Sequence, residues 1–186
     1  MTDILAHDHV EVDALFADLA RAFERGEARE LFAKLDYLWA RLAVHIRAEH
    51  LQLFPALLAA ADAAREDEAA PPREEVRAVV ERLREDHDFF MRELAALVAE
   101  ARPLTAPGEG GSEGLVAGIR GRTDALAARL AEHNRVEEEQ VYRWPDASLD
   151  AARLEALREG LRRELENIPP RFAGRARVTN VSDDHE

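Results

Sequence analysis

His45–Pro55, HIRAEHLQLFP, and His133–Pro145, HNRVEEEQVYRWP, are two versions of one pattern. Each carries H-x3-E, then an aliphatic–aromatic pair (Leu53-Phe54, Val141-Tyr142), then a proline. A spacing of four sets His and Glu on one face of a helix, one turn apart. Both stretches lie among Ala, Leu, Arg and Glu with few β-branched residues, a composition that favours helix.

Working outward, the punctuation divides the chain into helices. Gly26 caps a first helix and separates it from the second; Pro71-Pro72, after the acidic linker REDEAA, suits the start of a third. RPLTAPGEGGSEG, Arg102 to Gly114, reads as a loop, Trp144-Pro145-Asp146 as the end of the fourth helix, and Ser148 as the cap of a fifth that runs to about Asn167. Each of the first four helices carries a heptad-like seam, for example Leu5, His9, Val12, Phe16, Leu19 and Phe23 in the first. The expected fold is all-α: an up-down-up-down four-helix bundle over residues 1–146, an additional C-terminal helix over 147–168, and a flexible tail over 169–186. The apolar stripe of the fifth helix (Leu154, Leu157, Leu161, Leu165) either packs on the bundle or joins two copies, so the chain is expected to be a monomer or a homodimer through that helix.

Polar residues interrupt these seams at His9, His45, Glu49, His87, His133 and Glu137. His9 and His45 lie 17 and 19 residues from Gly26, and His87 and His133 lie 15 and 19 residues from the ends of the second loop. At about 1.5 Å of rise per residue, the four imidazoles fall in one layer of antiparallel hairpins. A buried carboxylate or charged imidazole costs several kcal/mol unless compensated. A lone seam histidine is ordinarily a hydrogen-bonded core residue, and a lone H-x3-E a surface pair. Level histidines on all four helices together with a duplicated H-x3-E point instead to metal. The donors are too many for one ion with an open position and suit two ions bridged by the carboxylates; imidazole and carboxylate without thiolate suit iron, manganese or zinc. Asp8, Asp86, His50 and Met91 are candidates to stand behind the ligands, Met91 with core packing as its ordinary role. His7 is expected to point to solvent, Glu138 and Glu139 to be solvated, and His185 to lie in the polar tail.

Composition excludes other classes. The chain has 186 residues, 47% hydrophobic and 34% charged, which suits one globular core. Its net charge of −13 argues against nucleic-acid binding. The absence of cysteine removes disulfides, iron–sulfur clusters and thiol nucleophiles. No apolar run approaches the roughly 20 residues of a membrane span, and MTDILAHDH lacks the features of a signal peptide, so no membrane partner and a cytoplasmic location are expected.

Taken together, Asp8-His9, His45-x3-Glu49 followed by Leu-Phe-Pro, Asp86-His87, and His133-x3-Glu137-Glu138 resemble the hemerythrin-like family and its HHE cation-binding domain, over roughly residues 1–146. The resemblance implies two iron ions in an oxo- or hydroxo-bridged non-haem centre, ahead of manganese or zinc. It implies His9, His45, His87 and His133 as terminal ligands and Glu49 and Glu137 as bridges. Oxygen-carrying members place H-x3-H on the third helix, where this chain has Met91, and H-x4-D on the fourth, where His133 is followed by Glu137 and Glu138. The missing histidine implies a more symmetric centre than that of the carriers. Iron–sulfur-repair members usually carry a Cys-containing N-terminal segment, which this sequence lacks.

The expected ligand is a small molecule: dioxygen, hydrogen peroxide or nitric oxide. Two readings are open at this point. One is a di-iron protein with catalase-like or peroxidase-like turnover; the other is an oxygen- or redox-sensing or iron-storage module without turnover. A plain bundle with buried histidines is the third, and it predicts no bound metal.

Overall fold

The computed structural model describes residues 2–64, 70–106, 113–172 and 174, and among these all regular structure is helical. Most of the acidic linker, the centre of the Pro/Gly loop, and nearly all of the expected tail with His185 lie outside the described residues. Helix α1 spans Thr2–Glu24, α2 Ala28–Ala48, α3 Phe54–Ala63, α4 Arg73–Ala101, α5 Glu113–Glu139, α6 Trp144–Ser148 and α7 Ala151–Glu166. α1 packs on α2, α2 on α4, α4 on α5, and α5 back on α1, which puts α2 and α5 on opposite corners of a four-helix bundle. No helix among the described residues is long and apolar enough to cross a membrane.

Gly26 closes α1 as expected. Its φ of 68° allows the Glu27 N–H to reach the Ala22 carbonyl at 3.0 Å and the Gly26 N–H to reach that of Phe23 at 3.2 Å, so the last turn leaves these acceptors satisfied. Pro72 stands at the start of α4, where its missing N–H costs nothing.

The two proline-ended repeats depart from ideal helix, each in its own way. Between α2 and α3 the chain makes a π-turn over Glu49–Leu53, and the N–H of Phe54 reaches back five residues to the carbonyl of Glu49. Pro55 explains it: in an unbroken α-helix its ring would collide with the carbonyl four residues earlier, and the wider turn relieves that collision. In the second repeat α5 ends at Glu139, Gln140 leaves helical geometry (φ −122°, ψ −66°), and a 3₁₀ turn covers Val141–Arg143. Trp144-Pro145 does not end the fourth helix, then; it opens the short α6, with proline in the first turn where it suits a helix start. The cap of the C-terminal helix is likewise two residues later than expected. Asp150, not Ser148, accepts a hydrogen bond from the Arg153 N–H at 2.8 Å.

Helix α7 packs on α2 and on the π-turn, burying Leu157 and Leu161. Gly160 faces the π-turn, where a Cβ would stand 2.4 Å from the Gln52 Oε1 and require that side chain to move. Arg47 of α2 then donates to the Glu164 and Asn167 carbonyls at 2.9 and 3.0 Å, placing a cation at the C-terminus of α7.

The buried apolar residues form two main clusters. The larger holds Val12, Phe16, Leu35, Leu42, Phe90, Leu94 and Leu126; the smaller holds Leu5, Phe54, Leu83, Tyr142 and Leu161 among others. Along α1 the divide falls between Leu5 and Val12, along α4 between Leu83 and Phe90, and from α5 into the following 3₁₀ turn between Leu130 and Val141. His9, His87, His133 and Glu137 occupy those gaps, so the polar residues form a layer between two cores.

Gly26→Ala forces a Cβ into a left-handed conformation and should lower stability by about 1 kcal/mol, a fall in Tm of about 3 °C by scanning calorimetry.

Candidate metal centre

The polar layer brings together all six residues expected as ligands. His9, His45, His87 and His133 are each at most 4% exposed, and Glu49 and Glu137 are fully buried. The imidazoles form two facing pairs: His9 Nε2 lies 3.2 Å from His45 Nε2, and His87 Nε2 lies 3.0 Å from His133 Nε2. Glu137 straddles them. Its Oε2 is 3.3 Å from His9 Nε2, and its Oε1 is 3.0 Å from His133 Nε2 and 3.7 Å from His87 Nε2. Glu49 comes from the opposite corner, with Oε2 3.5 Å from His45 Nε2 and 3.3 Å from His87 Nε2. Two triads, His9/His45/Glu137 and His87/His133/Glu137, each converge closely enough to hold a metal ion.

The outward ring nitrogens fix which nitrogen faces inward. His45 Nδ1 donates to Asp8 Oδ2 at 2.9 Å, His9 Nδ1 to Glu138 Oε1 at 2.7 Å, and His133 Nδ1 to Asp86 Oδ2 at 3.4 Å. His87 Nδ1 meets His50 Nε2 at 3.0 Å. With its Nδ1 carrying the proton, an imidazole presents a bare lone pair at Nε2. Through His9, His45 and His133 the layer therefore points three lone pairs and two carboxylates at one another, an arrangement that repels itself unless positive charge enters.

Proton equilibria show the same demand. Burial is the largest influence on His45 and His133 and opposes their charged forms, yet the Glu49 and Glu137 carboxylates outweigh it and hold both above the ordinary histidine value. Burial also opposes ionisation of Glu137, but the surrounding imidazoles of His133, His87 and His9 keep it well below the usual carboxylate range. Protons partly supply what a cation would supply fully.

The donor set fits a pair of metal ions. Two donors about 2.1 Å from a shared ion and at right angles to each other are about 3.0 Å apart, close to the spacing of both imidazole pairs. Among the described residues, Glu49 Oε2 and Glu137 Oε1 are buried with no hydrogen-bond partner, and such oxygens are costly unless they bind something.

Asp8 and Asp86 stand behind imidazoles, but behind those of the next helix and not their own neighbours in sequence. Each is anchored by an arginine: Arg41 forms an ion pair with Asp8, and Arg129 Nη2 donates to Asp86 Oδ1 at 2.6 Å. Burial pushes the Arg41 guanidinium down to about 10. Both arginines lie four residues before the ligand histidine, so the repeat is longer than H-x3-E: it runs RLAVHIRAE in α2 and RLAEHNRVE in α5. That extension was available in the sequence and identifies Arg41 and Arg129.

Two further residues were not foreseen. Glu138 is not simply solvated; it flanks the seam where α5 meets α1 and accepts from His9. Tyr142 turns into the layer through the 3₁₀ turn, its hydroxyl 2.8 Å from Glu49 Oε1, 3.1 Å from Glu137 Oε2 and 3.1 Å from His9 Nε2. Burial first, then the Glu137 and Glu49 carboxylates, raise its phenol well above the ordinary value, so it stays protonated and donates. Met91 packs against the larger apolar cluster, its ordinary role, and His7 is largely exposed near Glu11.

The family model of the hemerythrin HHE cation-binding domain matches residues 1–145. No curated protein and no solved structure matches the chain.

Tyr142→Phe removes the donor that serves two buried carboxylates. In metal-free protein it should cost about 1–3 kcal/mol, read as a lower urea midpoint at unchanged slope.

Proposed function

Because the chain belongs to the family of hemerythrin HHE cation-binding domains, we propose that its polar layer holds two iron ions and that the loaded site binds or reacts with a small oxidant, namely dioxygen, hydrogen peroxide or nitric oxide. The observation that carries this reading is the convergence of four inward imidazole nitrogens on two buried carboxylates with orphaned oxygens. His9 and His45 would hold one ion and His87 and His133 the other, with Glu137 and Glu49 as the carboxylates available to both pairs. Two adjacent redox-active ions supply a two-electron couple to a small oxidant.

The chain's own residues do the rest. Asp8, Glu138 and Asp86 hold the imidazoles in the tautomer that presents Nε2 inward. Tyr142 keeps a proton at its hydroxyl beside Glu49, Glu137 and His9, where a small polar guest can take a hydrogen bond. Phe54, stacked on His87 at 5.9 Å between ring centres, and Phe90, edge-on to His133 at 5.2 Å, exclude bulk water. A surface cleft of about 420 Å³ lined by Arg82, Asp86, Arg129 and Glu132 reaches the outer edge of His133.

Elemental analysis after iron-replete expression should give about two irons per chain, with His133→Ala at one or fewer and His7→Ala unchanged. Chelation of the wild type should lower Tm by several degrees, since metal binding is coupled to the folded state. Peroxide consumption by the loaded protein supports turnover; ligand binding without consumption moves the reading to a sensing or storage module. A metal-free product with the same Tm in chelator returns the chain to a plain bundle.

A further inference from the structure

The repeat that builds the site has an approximate twofold character: α2 with its π-turn matches α5 with its 3₁₀ turn, and α1 matches α4. Three outer contacts obey it. Asp8 and Asp86 stand behind His45 and His133, Arg41 and Arg129 anchor the two aspartates, and the aromatics of the two aliphatic–aromatic pairs face the histidines of α1 and α4: Tyr142 faces His9 at 5.5 Å between ring centres, Phe54 faces His87 at 5.9 Å.

It breaks at the residue after each seam glutamate. After Glu137 stands Glu138, whose carboxylate accepts from His9 Nδ1 at 2.7 Å; after Glu49 stands His50, whose imidazole meets His87 Nδ1 at 3.0 Å. The aromatic partners differ as well, a hydroxyl-bearing ring at His9, whose hydroxyl lies 3.1 Å from the inner Nε2, and a bare phenyl ring at His87. The aspartate contacts differ too, 2.9 Å to His45 against 3.4 Å to His133. Arg84 adds positive charge on the His87 side, 5.7 Å from the Phe54 ring centre. Arg41 and Arg129 occupy matching places, but Arg41 is buried against Asp8 and shares its charge with Glu11, whereas Arg129 is half-exposed.

A carboxylate that accepts the outer N–H of an imidazole makes its inner nitrogen a stronger donor, whereas a neutral imidazole in that place does so less. Both histidines of the His9/His45 half have carboxylates behind them at short range; the His87/His133 half has one distant carboxylate and one imidazole. We infer that the two halves hold metal unequally, and that the His9/His45 half, with Glu138 as the positioning residue that decides it, binds its ion more tightly. The inference rests on the two-ion reading above. The inequality lies outside the ligand set, which is the same in both halves.

Anaerobic calorimetric titration of the metal-free full chain with Fe²⁺ tests it. Two steps separated by about ten- to a hundredfold in affinity are expected. Glu138→Gln, at a half-exposed position, should weaken the tighter step towards the weaker one, and His50→Glu should tighten the weaker step. Two indistinguishable steps in the wild type, or a Glu138→Gln variant whose tighter step is unchanged, overturn the inference while leaving the two-ion reading in place. A titration that ends at one ion per chain or fewer removes that reading and the inference together.

Discussion

Two carboxylates with no solvent exposure, Glu49 and Glu137, sit at the centre of a helical bundle and face four imidazoles. An ion taken from water into such surroundings loses several kcal/mol of hydration, and most of the molecule's polar architecture answers that loss. The single Tyr142 hydroxyl proton lies within reach of both carboxylates, Asp8 and Asp86 orient the imidazoles, and Arg41 and Arg129 neutralise the aspartates in turn. Charge alternates outward from the axis in shells, and each shell is held by the next. Removing one partner exposes its neighbour as an uncompensated buried charge, the costly direction of change for such networks.

The backbone contributes through its two departures from ideal helix. Pro55 widens the turn after Glu49, and the wider turn carries His50 beside His87. Gln140 breaks α5, and the 3₁₀ turn that follows swings Tyr142 back to the axis. Two similar strings of residues thus deliver different side chains to matching places, because one proline is absorbed inside a helix and the other opens a new one.

The seams, the level of the four histidines and the inward-facing glutamates were legible because they depend only on helical periodicity and rise, which the loops and packing do not alter. Gly26 was legible for a similarly local reason. The partners behind the ligands were not. Asp8 adjoins His9 in sequence, but successive helical residues point about 100° apart, so Asp8 serves the helix beside it. Glu138 lies off the seam, where periodicity assigns solvent, and only the neighbouring α1 gives it a partner. Tyr142 required knowledge of how the chain breaks after Glu139, a decision made by packing of α6 against α3 as much as by the residues themselves. Arg41 and Arg129 were within reach, since the longer repeat containing them is plain once nine residues are aligned instead of five.

The polar layer also partitions the molecule thermodynamically. Apolar contacts bind each cluster internally, but across the layer the two cores are joined by continuous helices and by whatever charge the layer holds. The smaller cluster is built in part from short elements, the π-turn, α3, α6 and the docked α7, each with little capacity to stand alone. Local opening at that end is therefore expected to cost less than global unfolding, with amide protons there exchanging through fluctuations that leave the larger cluster intact. Cations in the layer would tie side chains from α1, α2, α4 and α5 together through the shared Glu137, and their binding energy would act as the cooperativity term that makes two adjoining foldons behave as one.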